Sequence, residues 1–283
     1  MKKFHTVVLI MVLITIGFGI NVAPNVEAKS SWKQILQCKV THQTTVVGYI
    51  NDNCGITVGR SGECHYTLDG GKSWPQAQNN SMCRYGLDYV DEKTVWNCGN
   101  GSQVRRSDDG GQIWNEVSNC IRGRIIVFKY ISFINDQTGW VASETQLVVT
   151  NNGGQNWIEL ESPSKMIGAI SLLSENEGYI LGTDNMLYFT KDAGKTWGTQ
   201  KMAIKDTLFS PAMRFLDTNR AIVIAFSVKQ QKEIALTTAN GGKTWRREIV
   251  CDRIGIPYIR RDGKLVTLLA PDQTITVLKQ EEK

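Results

Sequence analysis

An eight-residue segment occurs five times in this chain, and its spacing limits the fold more than any other feature. Its pattern is a hydroxyl residue, any residue, Asp or Asn, a small residue, Gly, two further residues and Trp. The five copies, called boxes below, are residues 67–74, 107–114, 150–157, 190–197 and 238–245. Their tryptophans, at positions 74, 114, 157, 197 and 245, are 40, 43, 40 and 48 residues apart. A period of about forty residues is typical of one four-stranded β-propeller blade.

The residue types of each box predict a tight turn. Asp or Asn at the third position can accept hydrogen bonds from backbone N–H groups just ahead, and Gly at the fifth permits a positive φ. The indole at the eighth position can anchor the turn to a core. The predicted structural residues are therefore Asp69 and Trp74, Asp109 and Trp114, Asn152 and Trp157, Asp192 and Trp197, and Asn240 and Trp245.

The segments between the boxes read as short strands with alternating apolar residues, punctuated by Gly, Asn and Asp. After the fifth box, residues 256–259, 264–269 and 274–277 supply only three strands. The N-terminal segment 29–38 resembles 243–251, with Cys38 and Cys251 in register, and it supplies the missing strand. We therefore predict an all-β fold: a six-bladed propeller of four-stranded antiparallel blades, closed by the N-terminal strand. An open array of five repeats is the alternative.

The first 28 residues have the features of a signal peptide. Lys2 and Lys3 precede an apolar run over residues 7–20, and Val26-Glu27-Ala28 offers small residues where a signal peptidase cleaves. The prediction is a domain at 29–283, exported to the periplasm or the cell exterior, with an uncleaved N-terminal anchor as the alternative. Cleavage lowers the formal charge from +5 to +4, and this modest charge, with export, argues against a nucleic-acid partner.

Seven cysteines in an exported protein predict disulfides, and the odd count leaves at least one cysteine unpaired. Cys38, Cys120 and Cys251 each follow a Trp by six residues, so their spacing reflects the repeat and not a metal site. The better disulfide candidates lie in the first two blades: Cys54, Cys64, Cys83 and Cys98. Their connectivity is open.

The boxes resemble Asp-boxes, also called bacterial neuraminidase repeats. Together with a Gly-aromatic second strand, as in Gly139-Trp140 and Gly178-Tyr179, they make residues 29–278 similar to the photosystem II assembly and stability factor family. This resemblance implies a non-enzymatic scaffold that binds a protein partner such as a membrane-protein precursor, with an Arg-rich patch and without a cofactor. A monomer and peripheral membrane association are compatible with it.

Two chemical functions are weighed against the scaffold. Metal binding through Asp69, Asp109 and Asp192 is disfavoured because two boxes carry Asn at this position, and Ca²⁺ sites depend on carboxylates. A secreted glycan-active propeller, either a sialidase-like hydrolase or a sugar-binding module, remains the alternative function. Its sialidase form is disfavoured because the nearest approach to that family's F/Y-R-I-P motif, residues 253–257, is interrupted. Neither His42 nor His65 lies in a nucleophile motif, so no catalytic residue and no metal ligand is predicted.

The links from each blade's outer strand to the next blade's inner strand lie on one face of a propeller, and all six carry a cation. They contain Lys39, Arg84, Arg122 with Arg124, Lys165, Lys201 with Lys205, and Arg253. We predict a partner-binding basic rim, defined here as Arg84, Arg122, Arg124, Lys165, Lys205 and Arg253. Chance is the alternative, because Lys and Arg make up 32 of 283 residues and Glu161, Asp206 and Asp252 dilute the rim.

Overall fold

Strands account for nearly all the regular structure of the protein. The computed structural model describes residues 31–79, 84–119, 124–252 and 255–281, so the predicted signal peptide lies outside it. Within these ranges no helix has the length and hydropathy of a membrane span, and the one helical element is a 3₁₀ turn at Asn100–Ser102. The strands are β1 (Trp32–Lys39), β2 (Thr44–Tyr49), β3 (Gly55–Gly59), β4 (Cys64–Thr67), β5 (Gly86–Tyr89), β6 (Val95–Cys98), β7 (Gln103–Ser107), β8 (Asn115–Asn119), β9 (Tyr130–Phe133), β10 (Gly139–Ala142), β11 (Leu147–Thr150), β12 (Ile158–Leu160), β13 (Ile167–Leu172), β14 (Gly178–Gly182), β15 (Met186–Thr190), β16 (Gly198–Lys201), β17 (Leu208–Phe215), β18 (Ala221–Ser227), β19 (Lys232–Thr238), β20 (Arg246–Cys251), β21 (Ile256–Ile259), β22 (Leu265–Leu269) and β23 (Thr274–Gln280).

The strands form six antiparallel sheets arranged in a ring, so the six-bladed propeller is confirmed. Blades 1 to 5 begin with β2, β5, β9, β13 and β17, and blade 6 consists of β21, β22, β23 and β1. Each first strand contacts the first strands of both neighbouring blades, including β21 with β2. The six first strands therefore surround a central channel.

The N-terminal strand completes blade 6 as predicted. β1 pairs antiparallel with β23, with Cys38 opposite Ile275 and Trp32 opposite Gln280, across a bulge between Gln34 and Leu36. Because β1 runs directly into blade 1, this pairing joins the two ends of the ring through the backbone as well as through side chains. The edge of β23 is thereby covered.

The core consists of clusters that lie between blades. Within the described ranges, buried apolar side chains group into six clusters, one at each contact between neighbouring blades. Stacked rings belong to two of these contacts: Trp96 with Phe133 at a centroid distance of 3.8 Å, and Tyr179 with Phe215 at 3.4 Å. Each blade therefore depends on its neighbours for burial of its apolar faces.

Blade 1 departs from the predicted template in its fourth strand. This strand is reduced to backbone contacts on either side of His65: Tyr66 N donates to Pro75 O at 3.0 Å, and Ala77 N donates to Cys64 O at 2.8 Å. Proline has no N–H to donate to a ladder and is tolerated at sheet edges. Pro75 follows the box tryptophan directly, which accounts for the shortened strand at this outer position.

The five boxes form the same hydrogen-bonded turn between the third and fourth strands. In every box the hydroxyl oxygen accepts the N–H of the fifth-position glycine at 2.8–2.9 Å and donates to the Asp or Asn Oδ1 at 2.7–3.1 Å. That Oδ1 also accepts the N–H four residues ahead at 2.9–3.0 Å. One neutral oxygen meets these requirements, which explains why Asn and Asp interchange.

The box requires glycine at its fifth position both for its backbone conformation and for its packing. Its φ lies between 79° and 97° in the five copies. The indole packs on it: a Cβ added at Gly194 would lie 3.5 Å from Trp197 Cζ2 and 2.4 Å from Leu160 Cδ1 of the preceding blade. A larger residue here would therefore clash with Leu160 and push the turn away from the preceding blade.

The fourth box position offers a matched test of backbone strain. Ala193 has φ of 60°, whereas Gly153 occupies the equivalent position with φ of 66°. Ala193→Gly should raise the free energy of unfolding and Gly153→Ala should lower it, each by about 0.5–1 kcal/mol, because a Cβ is disfavoured in the left-handed region. Urea denaturation of both variants measures the two shifts. Shifts in the same direction would contradict this explanation.

Candidate functional site

The central channel opens on the side of the interblade links into a cavity of about 580 Å³. Lys129 and Thr207 from links, and Glu144 and Thr183 from the turns between second and third strands, place the opening on this face. All six first strands line it, among them through Val46, Leu87, Ile131, Ile170, Met213 and Tyr258. Every blade contributes to this concave surface, and a concave apolar pocket with few polar groups is the usual form of a ligand site.

Three of the first strands bulge at the mouth of this cavity. The ladders shift register at Thr45 in β2, at Gly168 in β13 and at Ser210-Pro211 in β17. Ser210 has φ of 48°, which is unfavourable for a residue with a Cβ. Bulges leave ladder groups unpaired and often lie beside functional sites.

The mouth of the cavity combines exposed apolar side chains with one ion pair. Phe209 is 62% exposed and Ile256 is 43% exposed, although both lie on first strands. Lys129 Nζ donates to Glu144 Oε1 at 2.6 Å, within blade 3. Nearby links add Ile125 and Met166 to the exposed apolar set. A polypeptide segment with apolar side chains could pack against the exposed apolar residues at this mouth.

The opposite end of the channel is closed by charged groups. Asp88 of blade 2 accepts a hydrogen bond from Arg214 Nη2 of blade 5 at 2.5 Å, and its other oxygen accepts Phe133 N at 2.8 Å. Asp88 has no exposed surface and Arg214 is 8% exposed. Arg261, from the first turn of blade 6, donates to the carbonyls of Tyr89, Phe133 and Ile134, with its Nη2 3.9 Å from Asp88. The cavity is therefore a pocket with a charged floor.

Four members of the basic rim can be placed, and none of them lines the cavity. Arg124 pairs with Glu159 at 2.5 Å, while Lys165 and Lys205 are exposed. Arg84 Nε and Nη2 lie 3.2 and 3.3 Å from the Asn100 amide, oriented with its oxygen toward the guanidinium. Arg122 and Arg253 lie outside the described residues. The rim is thus peripheral to the cavity wherever it is described.

Sequence reasoning missed the groups that do reach the cavity. Lys129 lies in the same link as Arg122 and Arg124, so the link argument could have included it. Arg214 and Asp88 occupy equivalent positions of their first strands, in opposite blades. The opposite charges of these two residues at the same repeat position were the sequence signal from which an ion pair across the channel could have been predicted.

His42 and His65 form a structural pair away from the cavity. Their rings stack with centroids 3.9 Å apart, and His42 Nε2 lies 2.8 Å from Thr57 Oγ1. Burial, and then the neighbouring His65, lower the pKa of His42 to about 4. His42 is therefore uncharged at neutral pH, and its contacts are those of blade packing.

Cysteine placement corrects part of the disulfide prediction. Cys54 and Cys38 are free thiols, so Cys54 is not a disulfide partner in this structure. Cys83 and Cys120 lie outside the described residues. A disulfide involving Cys64 or Cys98 stays a prediction. Where side chains are described, no group of three or more His, Cys, Asp or Glu residues is arranged to hold a metal ion.

Comparison with known proteins supports the resemblance inferred from the boxes. Residues 76–174 match the family model described as photosynthesis system II assembly factor YCF48. The photosystem II assembly lipoprotein Ycf48 of Synechococcus sp. (strain CC9902) is 28% identical over 116 residues, covering 39% of this chain and 34% of the relative. The photosystem II assembly protein Ycf48 of Thermosynechococcus vestitus is 26% identical over 139 residues, covering 47% and 40%.

The same family appears among solved structures. A structure titled "YCF48 bound to D1 peptide" has a TM-score of 0.56 at 13% identity, covering 90% of this chain and 98% of that chain. At this identity the likeness concerns the fold. The sequence matches span between a third and two fifths of the length of the two named relatives. The chain resembles the photosystem II assembly factor family, as predicted.

Proposed function

We propose that this protein, a propeller similar to the photosystem II assembly factors, is a non-enzymatic scaffold that holds a segment of a membrane-protein precursor at its link face. The observation that carries the proposal is the cavity at the channel mouth, lined by all six blades and bordered by exposed Phe209 and Ile256. The names of the relatives support an assembly role, and one related structure is titled as a complex with a peptide. Export through the predicted signal peptide would place the scaffold beside membrane proteins.

The basic rim has an electrostatic role in this proposal. The links contain nine cations, including Lys129, and three carboxylates, Glu161, Asp206 and Asp252. A surplus of positive charge around an apolar mouth would speed the encounter with an acidic partner surface and orient it, while burial at the mouth would supply affinity. The contribution of exposed cations is screened by salt.

The glycan-active alternative is not favoured. A sialidase-like site would bring three arginines together beside a Tyr–Glu pair. Among the described residues that line the cavity, the arginine is Arg214, and it is paired with Asp88. The relatives are named as assembly proteins and not as hydrolases. A fluorogenic sialidase assay that shows turnover would reverse this preference.

Neutralising three rim arginines should weaken capture of a partner. The variant R122Q/R124Q/R253Q, immobilised and exposed to detergent-solubilised native membranes, is expected to retain about tenfold less membrane protein than the wild type at about 20 mM salt. The difference should shrink at about 300 mM salt because exposed charges are then screened. Quantitative mass spectrometry of the retained proteins measures both values.

The matched control removes as many cations from the opposite face. Lys72, Lys195 and Lys243 are exposed in three boxes, so K72Q/K195Q/K243Q changes the net charge equally. We expect this control to capture like the wild type. Equal losses in the two variants would attribute the effect to net charge, and unchanged capture by the rim variant would remove the rim from the binding surface.

A further inference from the structure

The floor of the cavity contains hydrogen-bond donors that the protein itself does not use. Arg214 has five N–H donors, yet its one hydrogen bond to a described residue goes to Asp88. Its Nε is buried and has no partner among the described residues. The Tyr258 hydroxyl is likewise buried, in a residue that is 6% exposed, and its proton has no acceptor within the described ranges. Both side chains line the cavity.

Arg214 and Tyr258 line the same cavity and are close enough to interact electrostatically. Burial opposes the charge of Arg214, but Asp88 and then Tyr258 raise its pKa above the ordinary value. Burial, and then Asp88, raise the pKa of Tyr258, so its hydroxyl keeps its proton. The nearby backbone N–H of Tyr89 can only donate to the hydroxyl oxygen, which leaves the Tyr258 proton without an acceptor. The floor therefore offers a guanidinium and a neutral hydroxyl, both as donors.

The ion pair of the floor leaves part of the Arg214 guanidinium unused. Asp88 accepts from Arg214 at 2.5 Å and lies 3.9 Å from Arg261, which also interacts with the Asp91 carboxylate. Among the described residues, Arg214 therefore depends on Asp88 alone, through one of its nitrogen atoms. Buried charges and buried donors without partners are costly, and buried polar groups normally have partners. An anion in the cavity would accept the unused hydrogen bonds of Arg214 and Tyr258.

The walls above the floor are apolar. Leu87, Ile131, Ala169, Ile170 and Met213 line the cavity between the floor and the mouth. An anion with a large hydrated or polar body, such as a phosphate ester or a sugar acid, would lose water there without finding polar partners. A carboxylate carried on an apolar body meets both requirements, with its oxygens on Arg214 and Tyr258 and its body against the walls.

We propose that the cavity binds a carboxylate attached to an apolar segment of a polypeptide, with Arg214 and Tyr258 as the residues that receive the carboxylate. The inference rests on the proposed function, because it assumes that a protein segment enters at the link face. It adds the chemistry that selects the segment. The carboxylate has two sources in a protein, the C-terminus of the polypeptide or an acidic residue within it, and three probe peptides distinguish them.

The probes are fluorescein-labelled hexapeptides with two leucines at their C-terminal end. The first has a free C-terminal carboxylate, the second is its C-terminal amide, and the third is the amide with Glu in place of the last Leu. Fluorescence anisotropy with the full-length protein is expected to show binding of the acid, of the Glu amide, or of both, about tenfold tighter than the neutral amide. Equal affinities for all three, or no binding by any, would overturn the proposal.

Tyr258→Phe is the variant that keeps the test independent of folding. The hydroxyl proton has no acceptor among the described residues of the free protein, and the group near its oxygen is the Tyr89 N–H, so its removal should change the thermal unfolding midpoint little. It should weaken binding of the preferred carboxylate probe about threefold to tenfold and leave the neutral amide unaffected. An unchanged ratio of acid to amide affinity in this variant would remove Tyr258 and the proposed site.

The double variant R214M/D88N tests the charge without leaving an unpaired carboxylate. It should abolish the preference for carboxylate probes if it folds, and a persisting preference would place the anion elsewhere. The outcome is separable from the proposed function. If the protein captures a partner from membranes but binds all three peptides equally, the scaffold function stands and the carboxylate site is rejected. If it prefers the carboxylate peptides but captures no partner, the carboxylate site stands and the scaffold function is rejected.

Discussion

Replacing Asp88 with alanine is expected to lower the free energy of unfolding by about 3–5 kcal/mol, because it leaves Arg214 as a buried guanidinium without its carboxylate. The backbone N–H of Phe133 would also lose its acceptor, which lies 2.8 Å away in the native protein. This contact joins blades 2 and 3, while the ion pair joins blades 2 and 5 across the channel. Chemical denaturation monitored by tryptophan fluorescence measures the loss.

Two variants separate this effect from ordinary loss of a surface charge. Asp108 of the same blade pairs with Arg106 at 2.6 Å but is 57% exposed, so Asp108→Ala should cost about 0.5 kcal/mol or less. The double variant D88A/R214M removes the unpaired charge and should be more stable than D88A alone. A D88A protein within about 1 kcal/mol of the wild type, or a double variant no better than the single one, would contradict the account of the floor.

The propeller ring could be predicted from the sequence because short-range hydrogen bonds form its repeated turns. Each box closes its turn with its own side chains, since the side chains of Thr67 and Asp69 hydrogen-bond to residues within the same eight positions. Short-range bonds of this kind leave a repeating pattern in the sequence. The shared register of Cys38 and Cys251 then identified the N-terminal strand as the missing member of blade 6, and the pairing of Cys38 with Ile275 bears this out.

The charged floor of the channel could not be predicted from the sequence in the same way. Asp88 and Arg214 each stand between apolar neighbours on a strand, a pattern that ordinarily indicates one solvent-facing side. In a closed ring the alternate side of a first strand faces the channel, so these polar residues are buried. They are 126 positions apart, and no local rule couples them. Ser132 and Ser171 occupy the equivalent positions of blades 3 and 4 and accept N–H bonds from the next blade at 3.0 and 2.9 Å.

The bulges at the cavity mouth were also beyond sequence reasoning. Pro211 was their one local indicator, because proline removes a ladder donor. The bulges at Thr45 and Gly168 have no such indicator, since Thr is common in strands and Gly occurs throughout this protein. The three bulges lie at the same end of the channel because of how the blades are arranged in the ring, and no single sequence segment indicates this. The cavity is therefore a property of the assembled blades.

Removing β1 should have the largest effect of any change considered, because this strand holds the ring closed. A truncated protein that begins at residue 40 lacks the partner of β23 and the Trp32 side chain, which is 7% exposed and packs in the cluster between blades 5 and 6. It also loses the hydrogen bond from Ser31 Oγ to Glu248 Oε2 at 2.6 Å. We expect the unfolding midpoint to fall by about 10 °C or more, since loss of a buried Trp alone costs about 3–5 kcal/mol.

The matched control begins at residue 31 and keeps β1, so the two proteins differ by the strand and little else. The shorter one exposes the edge of β23, whose residues from Thr274 to Val277 lie opposite Leu36–Lys39 in the closed ring. An uncovered edge pairs readily with other strands, so the shorter protein should also self-associate on size-exclusion chromatography. A peptide with the sequence of Trp32–Lys39 should restore both the midpoint and the monomer peak. If the two proteins unfold at the same temperature and elute alike, closure by β1 does not stabilise the ring, and the geometry of the channel must be maintained by the contacts between first strands alone.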